Sequence, residues 1–178
     1  MTTFDFDRPL LETERLELWL PRADDLKAMY AVVTQPETSR YLGAVSQLHE
    51  HSFRFMRGAG SWFLYGYGPL MLRLKGQGPV IGNCGVFHTF RGLGEDFDDH
   101  PEAGWIIAAE HVGKGFGREV MDAVLAWFDA THGKRRIVCM IAPENAASLA
   151  LAQRLGFAVF REAGLPDGET ATLLERGA

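Results

Sequence analysis

No apolar run in this sequence approaches the roughly 20 residues a membrane-spanning helix requires, so no membrane partner is expected. The opening MTTFDFDRPL carries early acids and no apolar core, which does not read as a secretory signal. Cysteine is scarce. Cys84 and Cys139 both fall in apparent strands and match neither a metal-ligand spacing nor a disulfide framework. They read as buried free thiols in a reducing cytoplasm, with no metal expected. Positive charge is also in deficit: 18 Lys and Arg against 23 Asp and Glu leave a net charge of −5. That balance argues against a nucleic-acid backbone as the main partner. Lys114, Arg118 and Lys134-Arg135-Arg136 are too few to make a basic patch. Internal repeats and low-complexity linkers are missing too, so the 178 residues read as one domain able to bury about 70% of its unfolded surface.

The stretch Glu102 to Val120, EAGWIIAAEHVGKGFGREV, organises the remainder. Trp105, Ile106, Ile107 and Ala108 form a short apolar run of strand character. Val120, Met121, Val124, Leu125 and Phe128 recur on one helical face. Between them lies Gly113-Lys114-Gly115-Phe116-Gly117, with glycine at every second position. Such a turn leaves backbone N–H groups uncovered, and a helix starting there adds unpaired donors and about half a positive charge. It suits a phosphate or pyrophosphate; the plain alternative is a strain-free connection. The dinucleotide fingerprint fails because position 118 is arginine. A P-loop fails because Gly115 follows the lysine and Ala108 stands where the first glycine belongs.

Before this unit, Glu14 to Leu20 alternates as a strand with one buried face, and Asp24-Asp25 opens a helix carrying Leu26, Met29, Tyr30 and Val33. Gln35-Pro36 interrupts. A second helix is expected over Ser46 to Gly58, with Leu48, Phe53, Phe55 and Met56 as apolar candidates. Ser61 to Gly68 reads as an aromatic passage leading into a strand at Leu70 to Lys75. Gly76 to Pro79 then turns a hairpin into a strand from Val80 to His88, where Gly82 and Gly85 mark a bulge or close approach. Arg91 to His100 is a loop with Glu95, Asp96, Asp98 and Asp99, either a solvated loop or an acidic lip for a cationic substrate. After Gly133, Arg136 to Ala142 reads as a strand buried on both faces, and Ala146 to Leu155 as a helix capped by Asn145. Strands at Phe157 to Phe160 and Ala171 to Leu174 follow, joined by a turn at Pro166-Asp167-Gly168. The order β-α-α-β-β-β-α-β-α-β-β is mixed α/β, with parallel strands across the helices at 118–132 and 146–155.

This order, together with LETERLELWLPRADD (11–25), VIGNCGVF (80–87), EAGWIIAAEHVGKGFGREV (102–120) and APENAASLALAQRLGF (142–157), resembles the GNAT superfamily of acyl-CoA-dependent N-acyltransferases. More closely it resembles the RimJ/RimL-type branch of ribosomal-protein N-terminal acetyltransferases. The resemblance implies a central, mostly antiparallel sheet of about seven strands, splayed between the fourth and fifth, with helices on both faces. It identifies the anion as the pyrophosphate of acetyl-CoA, held by the amides of Val112, Gly113, Lys114, Gly115, Phe116, Gly117 and Arg118. Family members often carry Gln or Arg where this chain has Val112; a backbone donor is indifferent to that change. Trp105, Ile106 and Ile107 would provide backbone partners for pantetheine, and Asn145 matches the family asparagine that contacts the pantetheine arm or acetyl end.

Amine acetylation needs a neutral amine, a polarised thioester carbonyl and a route for protons. By resemblance, Glu102 is the candidate base, acting through water, with Asp99 and His100 as neighbours for the same task. Many family members place an acidic tyrosine where this chain has Ala152; Ser148, one turn after Asn145, is the replacement candidate, for catalysis and for cofactor contact. The acceptor, a protein N-terminus or a small-molecule amine, would meet Trp62, Phe63, Tyr65, Tyr67, His88 and the acidic loop. The resemblance implies a monomer or homodimer. A non-catalytic acyl-CoA sensor or partner-binding module is the reading from another class, since the tyrosine is missing.

Overall fold

Leu16 and Leu18 are completely buried and Leu20 nearly so, which is the alternation expected of a strand with one covered face. In the computed structural model, which describes residues 5–44, 46–166 and 168–177, this strand is β2 (Leu16–Trp19). A two-residue edge, β1 (Leu11–Glu12), pairs beside it. Helix α1 (Asp25–Val33) follows. The Asp25 carboxylate accepts the Arg22 N–H at 2.9 Å and pairs with Arg73 at 2.5 Å, joining the helix start to the sheet. The Gln35-Pro36 interruption holds a short helix, α2 (Pro36–Ser39).

Helix α3 (Leu48–Tyr65) runs a further seven residues beyond the expected stop at Gly58. It opens with a capping box, Gln47 N–H donating to Glu50 at 2.8 Å, and closes at Gly66. The aromatic stretch from Ser61 is therefore its last turn rather than an approach to a strand. Two features hid this. Gly58 and Gly60 lie inside the helix, and a Cβ at Gly58 would press on Pro69 Cγ at 2.8 Å. The large apolar residues Phe53, Met56, Phe63 and Leu64 also face outward, 65–85% exposed, which blurs the periodicity.

Strands β3 (Pro69–Leu74) and β4 (Val80–Phe87) form the expected hairpin. Its register shifts where Leu72 opposes Gly82 and Arg73 opposes Val80, and a Cβ on Gly82 would collide with the Ile106 carbonyl oxygen. A helical turn, α4 (Glu95–Asp98), interrupts the acidic loop before β5 (Glu102–Ile107). Helix α5 (Phe116–His132) buries Val120, Met121, Val124, Leu125 and Phe128 as their spacing required. Strand β6 (Ile137–Ile141), helix α6 (Ala146–Arg154), β7 (Ala158–Gly164) and β8 (Thr170–Arg176) complete the order. Asp167, in the expected turn between the last two strands, lies outside the described residues; Gly168 N–H bonds the Leu165 carbonyl at 3.0 Å.

The eight strands form one sheet in the order β1-β2-β3-β4-β5-β6-β8-β7, antiparallel except for β5–β6. The expected mixed, mostly antiparallel architecture holds, β1 being the strand beyond seven. Strands β6 and β7 run the same way, as a helical crossover requires, but β8 sits between them and pairs with both. The main core packs β2 to β6 under α5 and α6. On the opposite face α1 covers Met71 and Ala108, while Phe97 of α4 covers Val138 and Leu173. Cys84 and Cys139 are buried and unpaired, and burial pushes both thiols upward.

Candidate active site

Strand β5 pairs with β4 along its whole length, from Glu102 opposite Phe87 to Ile107 opposite Gly82. On its other side it meets β6 at a single position, Glu102 opposite Val138. Beyond that point the strands part, leaving the backbone of 103–107 without a strand on that side. Side chains alternate along this open stretch: Trp105 and Ile107 pack toward the main core, Ile106 toward the α1 side. The splay therefore falls at the expected place in the sheet.

The glycine turn closes the wide end of this cleft. After β5 a short 3-10 turn (Ala109–His111) leads to Val112 and then to Gly113 and Gly115, both at φ +81°, where a side chain would be strained. The N–H groups of Gly113, Lys114, Gly115, Phe116, Gly117 and Arg118 donate to no described residue; regular helical bonding resumes with Glu119 N–H on Gly115 O at 3.2 Å. A cradle of free amides at the N-terminus of a long helix fits a pyrophosphate. The Val112, Lys114 and Arg118 side chains are exposed, whereas the Phe116 ring is buried, so only its amide is available to a ligand. Arg118 pairs with Asp122 at 3.2 Å.

One brace of this turn escaped the sequence reading. Arg15 donates to the Lys114 carbonyl at 3.0 Å, pairs with Glu119 at 2.6 Å and lies over the Phe116 ring. Thr13 Oγ1 also donates to Glu119 at 2.6 Å. Burial opposes charge on Glu119, but these donors outweigh it and hold the carboxyl below its usual range. Arg15 thus neutralises the one acid in the first turn of α5. Contacts across more than a hundred residues carry no local pattern, which is why the brace was not legible.

Across the cleft, Asn145 caps α6: its side-chain oxygen accepts Ser148 N–H at 3.1 Å. Ser148 Oγ in turn receives the Trp105 indole N–H at 3.3 Å, a bridge from α6 to β5. Ala152 is fully buried. The three base candidates have different surroundings. Glu102 is buried, 3% exposed, with Arg91 donating at 2.6 and 2.7 Å and Thr89 Oγ1 at 2.7 Å. Burial opposes the charge on Arg91, yet the Glu102 carboxylate beside it prevails and stabilises the guanidinium. His100 faces Arg136 at 2.9 Å, and burial followed by that charge lowers its pKa. Asp99 is exposed at the end of α4.

The loop acids point elsewhere. Asp98 accepts the N–H groups of Arg91, Gly92 and Leu93 at 2.9–3.0 Å, and Asp96 is bound by Arg161 at 2.7 and 2.8 Å. Glu95, Asp96 and Asp99 are exposed, as a solvated loop requires, and only Asp98 turns inward. Tyr65 stacks on His88 at 4.7 Å beside a cavity of about 320 Å³. Trp62 and Tyr67 are core, and Phe63 faces outward, 85% exposed. Among the described residues no cluster of His, Cys, Asp or Glu is placed to hold a metal, and no helix is long and apolar enough to cross a membrane.

The Acetyltransferase (GNAT) domain family matches residues 15–158, which include the splayed pair and the amide-lined helix start. The chain belongs to the GNAT acetyltransferase superfamily. A solved structure named for the GnaT acetyltransferase family, from Bordetella pertussis, is 34% identical with a TM-score of 0.85, covering 96% of this chain and 100% of that one. An acetyltransferase from Agrobacterium tumefaciens str. C58 is 27% identical at a TM-score of 0.81, covering 100% and 99%. The uncharacterized N-acetyltransferase YoaA of Bacillus subtilis (strain 168) is 27% identical over 159 residues, 84% of this chain and 82% of its own length. As a GNAT protein the chain is an acyltransferase dependent on acetyl-CoA.

Proposed function

We propose that residues 1–178 form one N-acetyltransferase domain that moves the acetyl group of acetyl-CoA directly to a primary amine, of a protein N-terminus or a small molecule. The observation carrying this reading is the run of unpartnered amides from Gly113 to Arg118 at the mouth of the β5–β6 splay. Those amides hold the pyrophosphate, with Lys114 and Arg118 adding charge. The open backbone at Trp105, Ile106 and Ile107 lies alongside pantetheine, Asn145 and Ser148 form the facing wall, and one β5 amide polarises the thioester carbonyl. The amine nitrogen attacks that carbon, the carbon–sulfur bond breaks, and the amine gives up its proton. Glu102 accepts this proton through water and also holds Arg91 and Thr89 in place. Because the Ser148 oxygen already accepts from Trp105, its O–H is free to donate a hydrogen bond to the departing thiolate, which takes its proton from water.

The finer RimJ/RimL-type kinship and a cytoplasmic setting belong to the same proposal, the latter supported by the two unpaired buried thiols. Buried Ala152, at the position of the family tyrosine, favours the second reading, an acyl-CoA sensor without turnover. Thermal unfolding with acetyl-CoA, coenzyme A, ATP and NAD, followed by a thiol-release assay on an amine panel, separates them. Ligand at a hundred times its dissociation constant adds about 2.7 kcal/mol, a rise of roughly 5–11 °C for this size. A rise with the coenzyme A compounds and released thiol is expected. Binding with silence on every amine favours the sensor; a response to ATP or NAD alone defeats both.

A further inference from the structure

We propose that the outward face of α3 is a homodimer contact, at which a second copy of this chain lays its own α3 antiparallel against the first. This goes beyond the proposed acetyl transfer and does not depend on it. Helix α3 carries two apolar faces. One, with Phe55 and Trp62, turns into the protein. The other holds Phe53, Met56, Phe63 and Leu64, which are 73%, 65%, 85% and 71% exposed. Phe53, Met56, Gly60 and Phe63 stand at i, i+3, i+7 and i+10, the spacing of a seam that packs against another helix. No charge interrupts this line. Arg54 and Arg57, which fall among these positions in sequence, line the cavities beside the helix instead.

Gly60 points to what covers this stripe. A glycine inside a helix weakens it, and the fold of one chain has no use for this one: a Cβ there would meet nothing within 4 Å. Gly58, by contrast, makes room for Pro69. The space at Gly60 is open only to a group from outside. Positions 53 and 63, and positions 56 and 60, are symmetric about position 58. A two-fold axis there sets Phe53 of one protomer against Phe63 of its partner, and Met56 over the open backbone at Gly60. The contact is self-complementary, as a two-fold interface must be, and it matches a large residue to a small one. The area agrees. At about 200 Å² for each large side chain, the four exposed residues present roughly 600 Å², the top of the range for the largest patch on a typical monomer. Homodimer interfaces are about 65% apolar, so this patch corresponds to roughly 900 Å² per protomer, above the ~800 Å² of a standard stable interface.

Sedimentation equilibrium of the full chain at micromolar concentration should give twice the 19.8 kDa of one chain. Met56→Glu and Gly60→Lys, both at positions with room around them, should keep the wild-type circular dichroism, which shows a folded protein. Each should weaken the dimer on the order of 100-fold, the loss expected when a charge enters the centre of an interface. Mixing the two variants brings the new acid of one chain opposite the new base of the other. A heterodimer about tenfold tighter than either variant's own dimer should result. A wild-type chain that stays monomeric, including one that sediments with lipid vesicles instead, overturns the inference. So does a dimer that both substitutions leave intact, and so do variants that remain monomers when mixed. Acetyl-CoA binding is read separately by thermal unfolding, and its loss would defeat the acetyltransferase reading while leaving the dimer standing.

Discussion

The two sides of the β5 strand are built from different material. On the side proposed for the coenzyme the chemistry is main chain: amides freed by Gly113 and Gly115, a helix start, and an open strand backbone. On the α3 side it is side chain: Arg54, Arg57, the Glu102–Arg91–Thr89 cluster and His88, drawn from separate elements. Main-chain chemistry tolerates change in side-chain identity, so it suits a ligand common to a whole family. Side-chain chemistry is rewritten by single substitutions, which suits the part that selects an acceptor.

Substitutions can break this contrast in order of effect. Arg91→Ala leaves the buried Glu102 carboxylate without its cation and should cost about 3 kcal/mol in denaturant unfolding. That figure is at the low end because Arg91 is itself 30% exposed. No loss would show that Glu102 is solvated. Glu102→Gln should lower kcat by about 100-fold while acetyl-CoA affinity persists. An unaltered pH–rate profile in that variant would remove Glu102 as the base and leave it a positioning residue. Gly115→Val forces a β-branched residue to φ +81° and should cost about 1–3 kcal/mol. It should also weaken acetyl-CoA binding, measured by calorimetry; unchanged affinity would refute the turn as the pyrophosphate site. Arg118→Ala is the mild counterpart. It removes an exposed pair with Asp122 worth about 0.3–0.5 kcal/mol, and affinity should move only a few-fold if amides carry the ligand. A large loss would mean that side chains dominate there too.

The same contrast explains what could be read in advance. The glycine turn, the face of α5, the Asn145 cap and the parallel β5–β6 step all announce themselves over a few residues, through periodicity or turn chemistry. Glu102 was visible as a strand-end carboxylate, but Arg91 beneath a helical turn was not, because nothing in RGLGEDFDDH marks which charge turns inward. Arg15 and Glu119 are similarly silent until the fold brings them together. The end of α3 was misread for a different reason: Phe53, Met56, Phe63 and Leu64 are exposed alongside Arg54 and Arg57, so no single apolar stripe marks the helix. Where local pattern and burial disagree in this way, function is the usual cause.

The placement of β8 between β6 and β7 bears on how the chain is made. Strand β6 is the far wall of the cleft, and its antiparallel partner is β8, although α6 and β7 are synthesised first. On a ribosome, β6 therefore emerges with one edge facing the splay and the other still bare. Through that interval it offers unpaired backbone to any neighbouring nascent chain. The outer edge of that wall is paired only when Thr170–Arg176 has cleared the exit tunnel. Arrest before that point would leave the wall opposite the glycine turn with its outer edge unpaired.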